Sequence, residues 1–404
     1  IMGNVRKRFD GREHRDFSRP SVIIANHASF LDLLRIISLH PKILLMTNQW
    51  VWRSPVFGAL VRLADYYPVE EGAEFSIDKL KYWVDRGYSI AVFPEGTRSY
   101  DDKIKRFHKG AFYIAEKLQI DIQPILFHGI GYSMSKGDFL LKNGEVNARY
   151  LPRIPYNDAR YGTTYAEKAR NIGKYFREEF AHYKKQRETP RYFKEQLIKN
   201  YTYKGPVLEW YCRIKARLEN YYTPIEKLVP QEGNILDIGC GYGFLAYILS
   251  WTSDKRTVYG LDYDEEKIEV ARHNFSKTEQ LHFTAGDALD FADDLKYDCI
   301  LIMDVLHYLL PEKQLALLQK CQASLAEKGL LILRDGVKDL NKKHQGTVLT
   351  EIFSTRIFGF NKTKNDLHFI SKDFLHDFAT KNQLNLNVID DTKFTSNIVA
   401  VFSK

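Results

Sequence analysis

The segment SVIIANHASFLD, residues 21–32, places an apolar run directly before a histidine and an aspartate. The run SVIIA has the β-branched and apolar composition of a buried strand. His27 follows the end of this run, and Asp32 comes five residues later. A histidine near a strand end is often only a packed side chain, so the rest of the sequence must decide whether this pair has a chemical role.

Around this segment, short β-rich runs alternate with helical patterns through the first half of the chain. This alternation predicts an α/β layered domain. The predicted strands are SVIIANH, KILLMTN, DYYPVE, SIAVFPEG and IDIQPILFHG. The run GDFLLKNGEVNARYLPRI, residues 137–154, then predicts a hairpin that turns at Asn143-Gly144, a dipeptide that tolerates positive φ at both turn positions.

Length and composition indicate a two-domain globular protein that does not span a membrane. The chain has 404 residues, more than one ordinary core supports, and 44% of them are hydrophobic. No uninterrupted apolar run approaches the ~18 residues of a membrane span. The four cysteines show neither CxxC pairing nor metal-ligand spacing, which predicts no metal site and a reducing, cytoplasmic compartment.

The net charge of +8 is unevenly distributed. Residues 1–190 hold 31 Lys and Arg against 22 Asp and Glu, whereas residues 191–404 hold 28 against 29. The basic first part favours an anionic partner such as a phospholipid surface, coenzyme A or an acidic carrier protein. We expect no nucleic-acid partner, because no nucleic-acid-binding module is recognisable.

A second motif, FPEGTRS at residues 93–99, follows the predicted strand SIAV. It supplies a carboxylate, a glycine for close backbone approach and a guanidinium suited to phosphate. With NHASFLD before it, and RFHKGAFYIA and IQPILF after it, the chain resembles the glycerolphosphate and lysophospholipid acyltransferases over residues 15–160. The resemblance implies acyl transfer from a coenzyme A or acyl carrier protein thioester to an alcohol.

The residue types fit that chemistry. His27 is the candidate general base, and Asp32 would accept from its other ring nitrogen, fixing the tautomer and stabilising the imidazolium. This pair resembles a catalytic triad without its serine, so we expect the acceptor hydroxyl to attack directly. The resemblance further implies an acceptor-side pocket formed by Glu95, Gly96, Thr97, Arg98 and Lys109. It implies a structural role for Gly110 and Pro124. Phe107, Lys109 and Gly110 form the family's F-x-K-G run.

One stretch departs from the acyltransferase pattern. The family usually has an arginine between the two motifs that helps to bind the acceptor phosphate, but the corresponding stretch here is YYPVEEG, residues 66–72, with Glu70 and Glu71. Carboxylates cannot take that role. We therefore expect a lipid or amphipathic hydroxyl acceptor, with Arg98 and Lys109 carrying any phosphate contact.

The second half of the chain predicts a mostly parallel sheet that ends in an antiparallel hairpin. Its predicted strands are NILDIG, TVYGLDY, LHFTAG, YDCILIMDV, KGLLILRDG, NLNVIDD and SNIVAVFSK. LDIGCGYG, residues 236–243, is a glycine-rich loop between the first strand and a helix, which leaves a dinucleotide site open as an alternative. The terminal hairpin and the aspartates that end the next three strands resemble instead the class I S-adenosylmethionine-dependent methyltransferases, over residues 225–404.

The methyltransferase resemblance implies S-adenosylmethionine as cofactor, held at the strand ends. It places Asp237, Gly239, Gly241 and Gly243 at the methionine end, Asp262 at the ribose, Asp287 with Ala288 at the adenine, and Asp304 at the reaction centre. His307 is a candidate general base, although many family members carry a pocket-lining aromatic or histidine there. The absence of a [DN]PP[YF] signature after the fourth strand favours a small-molecule or lipid-like substrate.

Together these observations predict an acyltransferase-type mixed α/β domain at residues 1–188, a basic helical linker or cap at 189–228, and a seven-stranded Rossmann-like methyltransferase domain at 229–404. The order resembles the C-terminal part of bacterial fusions with a lipid-exporter-type membrane domain. A start at Ile1 fits an upstream membrane domain in the same chain, and we expect action at the inner face of the membrane. The alternative is an active methyltransferase whose acyltransferase-like domain only binds lipid.

Overall fold

The structure is a computed structural model that describes residues 5–29, 31–48, 67–69, 77–99, 103–134, 142–291, 294–338, 367–389 and 397–404. The chain divides into two compact units, Ile1–Arg187 and Glu188–Lys404. Both are α/β units, each with a seven-stranded sheet among the described residues. No helix of the described ranges is both long and apolar enough to cross a bilayer.

The first unit has a mixed sheet in the order β1-β7-β6-β2-β5-β3-β4. Its described strands are β1 Val5–Asp10, β2 Val22–Ala25, β3 Ile43–Asn48, β4 Tyr67–Val69, β5 Ser89–Val92, β6 Ile122–His128 and β7 Gly144–Tyr150. Its described α-helices are α1 Leu31–Ile37, α2 Ile77–Val84, α3 Gly110–Leu118, α4 Ile130–Ser133 and α5 Tyr165–Arg187. All neighbouring strands run parallel except β6 and β7.

Strand β2 lies in the middle of this unit's sheet and is covered on both faces. Val22 and Ile24 pack in the cluster that includes α3 and α5, whereas Ile23 and Ala25 pack in the cluster that includes α1. All four are fully buried. A strand that is buried on both faces is continuously apolar, which is why SVIIA is so clear a signal in the sequence.

Two features of this sheet differ from the sequence prediction. Strand β1, VRKRFD, was not predicted; it pairs only with β7 at the sheet edge, where charged side chains are common. The hairpin predicted to turn at Asn143-Gly144 is wrong. Gly144 begins β7, and β7 pairs antiparallel with β6, which precedes α4 in the chain. Neither residue has positive φ, and residues 135–141 of the predicted first arm lie outside the described residues.

The second unit has a sheet in the order β10-β9-β8-β11-β12-β14-β13. Its strands are β8 Gly233–Ile238, β9 Arg256–Asp262, β10 Leu281–Ala285, β11 Tyr297–Met303, β12 Leu325–Gly336, β13 Asn385–Ile389 and β14 Asn397–Ser403. Its described α-helices are α6 Lys194–Asn200, α7 Pro206–Leu218, α8 Thr223–Glu226, α9 Phe244–Thr252, α10 Glu265–Arg272, α11 Pro311–Ser324 and α12 Lys372–Lys381. Of the seven described strands only β14 runs opposite to the others, so the predicted parallel sheet with a terminal hairpin is confirmed.

The segment at residues 189–228 packs on the second unit. Leu197 of α6, and Leu208 and Cys212 of α7, belong to the core cluster that also contains Ile235 of β8. The hydroxyl of Tyr201 donates to the backbone carbonyl of Tyr242 at 2.7 Å. This helical segment therefore lies directly against the glycine-rich loop that follows β8.

Candidate active sites

In the first unit, the loop between β2 and α1 brings His27 and Asp32 into contact. Nδ1 of His27 lies 2.9 Å from Oδ2 of Asp32. The same oxygen accepts from the backbone N–H groups of Ala28 at 2.7 Å and Ser29 at 2.8 Å. The Asp32 side chain is fully buried, whereas the His27 side chain is 15% exposed. With Asp32 ionised and the imidazole neutral, this contact places the His27 proton on Nδ1 and leaves the lone pair on Nε2.

Two further contacts of His27 and one of its neighbour Asn26 fix the position of His27, and sequence reasoning missed all three. Its ring stacks on Phe93, with the ring centroids 4.2 Å apart. The buried amide of Asn26 pairs with both the N–H and the C=O of Phe127, each at 2.8 Å, where β2 and β6 end. The backbone N–H of Ser99 donates to the carbonyl of His27 at 2.9 Å. The sequence did offer a sign of the role of Asn26, because an amide stands directly before a histidine at a strand end. Nothing in the sequence indicated the contact with Phe93.

Glu95 connects the two motifs of this site. Its Oε1 accepts from the backbone N–H of His27 and its Oε2 from that of Lys105, both at 2.8 Å. The side chain is almost fully buried. Burial raises the pKa of Glu95, and the two backbone hydrogen bonds act in the opposite direction. Both oxygens face backbone donors, so this carboxyl holds the two loops together.

The other predicted residues of the first site are divided between two places. Gly96, with φ of 68°, and Thr97 are exposed in the turn next to Glu95. Arg98 is half-buried, and its guanidinium makes no hydrogen bond or ion pair with any described residue. Lys109 is exposed, with Nζ 5.8 Å from the ring centroid of Tyr165.

Of the two remaining motif positions, Gly110 begins α3 and Pro124 lies within β6. The departure at Glu70 and Glu71 falls outside the described residues.

In the second unit, the predicted cofactor residues meet at one edge of the sheet. Asp237 lies near the end of β8, Asp262 ends β9, and Asp304 directly follows β11. These strands are parallel neighbours, so their carboxyl ends share an edge. At this edge the backbone N–H of Gly241 donates to Oδ2 of Asp262 at 2.8 Å, which ties the glycine-rich loop to β9.

The residues at this edge fit S-adenosylmethionine. A Cβ built on Gly241 would meet nothing within 4 Å, so the loop backbone is open to a ligand. Oδ2 of Asp237 is buried and accepts no hydrogen bond from a described residue. Burial, and next the charge of Asp262, raise the pKa of Asp237 to about 7. A cationic group such as an ammonium would relieve that unfavourable environment.

Asp262 is almost fully buried, and its two oxygens accept from Gly241 N–H and, at 2.9 Å, from Asp264 N–H. An ionised carboxylate has about four lone-pair sites, so capacity for ribose hydroxyls remains. Asp287 follows β10, is exposed, and accepts from the N–H of Leu289 at 2.9 Å. Ala288 is half-buried beside it.

Asp304 has a role that the sequence did not indicate. Its carboxylate pairs with Arg334 and accepts from Asn397 at 3.3 Å, and Lys215 Nζ of α7 lies 3.7 Å away. Arg334 also pairs with Glu219, just after α7. Burial opposes ionisation of Glu219, but Arg334 and Lys215 together hold its pKa well below its usual range. This network connects the end of β11 to the helical segment.

His307 is paired with an aspartate that sequence reasoning missed. Its Nδ1 lies 2.6 Å from Oδ1 of Asp335 at the end of β12, and its backbone N–H donates to Oδ2 at 3.3 Å. Both side chains are buried, and the His307 ring stacks on Phe369 with centroids 5.5 Å apart. The available signal was the aspartate at the end of the fifth strand, in LILRDG.

Two family models match separate parts of the chain. A model for acyltransferases matches residues 6–128, and a model for a methyltransferase domain matches residues 235–329. The two matches contain the His27–Glu95 cluster and the glycine-rich loop, respectively.

Among curated proteins, the chain is 33% identical over 132 residues to a chloroplastic 1-acyl-sn-glycerol-3-phosphate acyltransferase of Brassica napus, which covers 31% of this chain and 38% of that protein. It is 26% identical over 157 residues to the human 1-acyl-sn-glycerol-3-phosphate acyltransferase beta, covering 37% and 56%. The chain thus spans only part of the length of these relatives.

Solved structures similar to the chain include examples for each unit. PlsC, the 1-acyl-sn-glycerophosphate acyltransferase of Thermotoga maritima, is 20% identical, with 45% of this chain and 73% of that chain covered and a TM-score of 0.40. The magnesium protoporphyrin IX methyltransferase of Synechocystis with bound SAH is 20% identical, with 43% and 74% covered and a TM-score of 0.34.

Proposed function

We propose that this chain, which joins an acyltransferase domain to a methyltransferase domain, catalyses two group transfers. The first moves an acyl group from a coenzyme A or acyl carrier protein thioester to a hydroxyl of a lipid or amphipathic acceptor. The second moves a methyl group from S-adenosylmethionine to a small-molecule or lipid-like acceptor. The observation that carries the acyl transfer is the His27–Asp32 pair, with Nδ1 engaged and Nε2 left as the base.

In the acyl transfer, Nε2 of His27 takes the proton of the acceptor hydroxyl as its oxygen bonds to the thioester carbonyl carbon. Asp32 stabilises the imidazolium that forms. The tetrahedral intermediate then expels the thiolate, which receives the proton from His27, so no acyl-enzyme forms. Glu95 acts as a positioning residue in this mechanism, because its two oxygens hold the backbone of His27 and Lys105.

On the acceptor side, we propose that Arg98 binds a phosphate or another anionic head group. Support comes from its half-buried guanidinium, which makes no hydrogen bond or ion pair with any described residue, and from its place three residues after Glu95. The curated relatives are named for 1-acyl-sn-glycerol-3-phosphate. A lysophospholipid is accordingly the first acceptor to test.

For the methyl transfer, S-adenosylmethionine supplies a methyl group on a sulfonium for in-line displacement. Asp262 would hold the ribose, Asp287 and Ala288 the adenine, and Asp237 with the glycine-rich loop the methionine end. His307, oriented by Asp335, would remove the proton of the acceptor. Asp304, which pairs with Lys215 and Arg334, would lie at the reaction centre beside the cofactor.

We further propose that the chain acts at the cytoplasmic face of a membrane, with acyl carrier protein and an upstream membrane domain as additional partners. The basic first part of the chain supports this location. No nucleic-acid partner is proposed.

The acyl transfer is tested with the purified chain, a series of lysophospholipids, and either acyl-coenzyme A or acyl carrier protein thioester. Wild type should form diacyl product, and His27→Ala should reduce kcat by about 10³-fold or more, as expected when a general base is lost from such a pair. The matched control is His182→Ala, which removes an exposed histidine of α5 and should leave kcat unchanged. Equal product with wild type and His27→Ala would refute the mechanism.

The methyl transfer is tested by incubating the chain with methyl-labelled S-adenosylmethionine and the acylated product. Asp335→Asn should lower methyl transfer by about 10²-fold or more while cofactor affinity, measured by calorimetry, stays within about twofold, because the His307 proton-transfer role is worth that much. Restored transfer at high pH would show that proton removal is the lost step. Unchanged transfer would contradict the role of the His307–Asp335 pair.

A further inference from the structure

Helix α7, Pro206–Leu218, has an apolar face on each side. Its inner face, with Leu208, Cys212 and Ala216, is buried in the core of the second unit. Its outer face carries four exposed apolar side chains at helical spacing, Val207, Trp210, Ile214 and Leu218. Their exposed fractions run from 38% for Ile214 to 74% for Leu218. We call these four side chains the outer stripe of α7.

Single exposed apolar side chains are ordinary, but this concentration is not. Ten large hydrophobic side chains are exposed in the described part of the chain, and five of them lie within residues 203–218. The fifth is Tyr203, whose hydroxyl donates to the carbonyl of Val270 at 3.2 Å. The half-exposed ring of Tyr203 is therefore held beside α7 by its own hydrogen bond.

Cations flank the outer stripe. Arg213 and Arg217 are exposed on one side of it, and Lys204 precedes the helix with Nζ 5.8 Å from the ring centroid of Tyr203. Arg213 pairs with Glu209 at 3.0 Å, whereas the guanidinium of Arg217 has no hydrogen bond or ion pair with a described residue. A similar pair lies nearby, where Lys199 Nζ is 5.9 Å from the ring centroid of the exposed Phe275.

We propose that the outer stripe of α7 docks on the surface of an anionic lipid bilayer, with Trp210, Ile214 and Leu218 inserted among the acyl chains and Arg213 and Arg217 at the phosphate level. Apolar side chains that include tryptophan, bordered by basic residues, suit the headgroup boundary. Attraction to anionic lipid adds to the burial of each apolar side chain. The inference rests on the proposed function in one respect, since a lipid acceptor would bring the chain to a membrane.

Size and charge favour a bilayer over a protein partner. The four side chains expose roughly a few hundred Å² together, whereas a stable protein interface buries about 800 Å² on each partner. A symmetric antiparallel pairing of two copies through this stripe would also bring the arginines of one copy toward those of the other. A bilayer needs no large matched surface and supplies the opposite charge.

The test is flotation of the full chain with vesicles of phosphatidylethanolamine and phosphatidylglycerol, compared with vesicles of phosphatidylcholine alone. Wild type should bind the anionic vesicles, and the double variant Ile214→Glu, Leu218→Glu should bind at least about tenfold more weakly, because two apolar insertions are lost. Leu315→Glu is the matched control, since Leu315 is 40% exposed on α11, and it should bind like wild type. Arg213→Glu with Arg217→Glu should weaken binding, whereas Lys328→Glu, another exposed cation, should not.

Three results would overturn the proposal. They are absence of wild-type binding to anionic vesicles, equal binding by the Ile214 and Leu218 variant, and a wild-type dimer that this variant converts to a monomer without changing vesicle binding. Circular dichroism and S-adenosylmethionine affinity establish that the variant is folded. Acyl transfer to a detergent-dispersed acceptor is measured alongside: if wild type has none, the proposed function fails, while vesicle binding still decides the role of α7.

Discussion

The backbone N–H of His27 donates to Oε1 of Glu95 at 2.8 Å, so the residue proposed as base is held by the second motif as well as by its own. Oε2 of Glu95 serves Lys105 in the same way. Without the second motif, the backbone N–H of His27 would lack this partner. The pairing of the two motifs in the sequence thus has a physical cause in one buried carboxyl.

Glu95→Gln tests this positioning role. An amide can accept from only one of the two backbone N–H groups, so the other is left unsatisfied at a cost of about 1–3 kcal/mol. We expect the melting temperature to fall by several degrees and kcat to fall less than in His27→Ala. Calorimetry and steady-state kinetics measure the two effects. An unchanged melting temperature with a kcat as low as that of His27→Ala would mean that Glu95 instead contacts the reacting atoms.

Asp32→Asn tests the orientation of His27. The amide oxygen can still accept from Ala28 and Ser29, but it cannot stabilise an imidazolium as a carboxylate does. We expect kcat for acyl transfer to drop by about 10³–10⁴-fold with little change in acceptor KM. Asp78→Asn, which changes an exposed aspartate in the first turn of α2, is the control. Wild-type kcat in Asp32→Asn would exclude the proposed pair.

The glycine-rich loop offers a matched pair of substitutions. Both Gly239 and Gly241 have positive φ, which costs an alanine about 1–2 kcal/mol. A Cβ on Gly239 would overlap the side chain of Val305, whereas one on Gly241 meets nothing within 4 Å. We therefore expect Gly239→Ala to destabilise the ligand-free protein more. Gly241→Ala should fold, but its affinity for S-adenosylmethionine should fall by about tenfold or more, because the added methyl group would occupy space that the ligand needs.

Calorimetric titration and thermal melting separate the two effects. Wild-type cofactor affinity in Gly241→Ala would place the ligand elsewhere, and equal melting temperatures for the two variants would show that the Val305 contact relaxes at no cost.

Asp237 predicts a pH dependence. Its pKa is raised to about 7, so in the ligand-free protein it loses its charge as pH falls through 7. In wild type, affinity for a cationic ligand should therefore decline below pH 7. In Asp237→Asn, the affinity should be about tenfold below the wild-type maximum and nearly constant between pH 5 and 8. Titration calorimetry across that range measures this. A wild-type affinity that does not change with pH would contradict it.

The same group affects stability with a definite sign. A carboxyl with a raised folded-state pKa binds more protons in the native than in the unfolded state between its ordinary value and about 7, so its contribution falls as pH rises through that window. At pH 8 without ligand, Asp237→Asn should thus have a higher melting temperature than wild type. Its free energy of unfolding should be higher by at most about 4 kcal/mol. At pH 4 the two should melt alike.

Much of this account could be predicted from the sequence, and the reasons are local. Apolar runs such as SVIIA and YDCILIM are buried on both faces of a sheet, so their composition identifies them as strands. Residues such as Asp262 and Asp304 are found because parallel strands present their carboxyl ends at one edge. Both inferences need only residues that are close together in the chain.

The features that could not be predicted depend on contacts between residues that are far apart in the sequence. Strand β1 is charged because it is an edge strand, and edge position follows from the topology. Asp335 meets His307 across 28 residues, and Asn26 meets Phe127 across 101. The carboxylate of Asp304 is engaged by Arg334, which the pairing of β11 with β12 brings near, and by Lys215, which the packing of α7 brings near. Nothing local in the chain indicates these partners.

The central claim is that both domains are active enzymes. It is tested most directly by mass spectrometry of lipid extracts from cells that carry the intact gene, His27→Ala, or Asp262→Ala, all grown with labelled methionine. The account predicts that His27→Ala removes an acylated species and that Asp262→Ala removes a labelled methylated species, and the masses identify the substrates. If His27→Ala changes no lipid while Asp262→Ala removes a labelled compound, the acyltransferase domain is not catalytic, and NHASFLD is part of a lipid-binding scaffold instead.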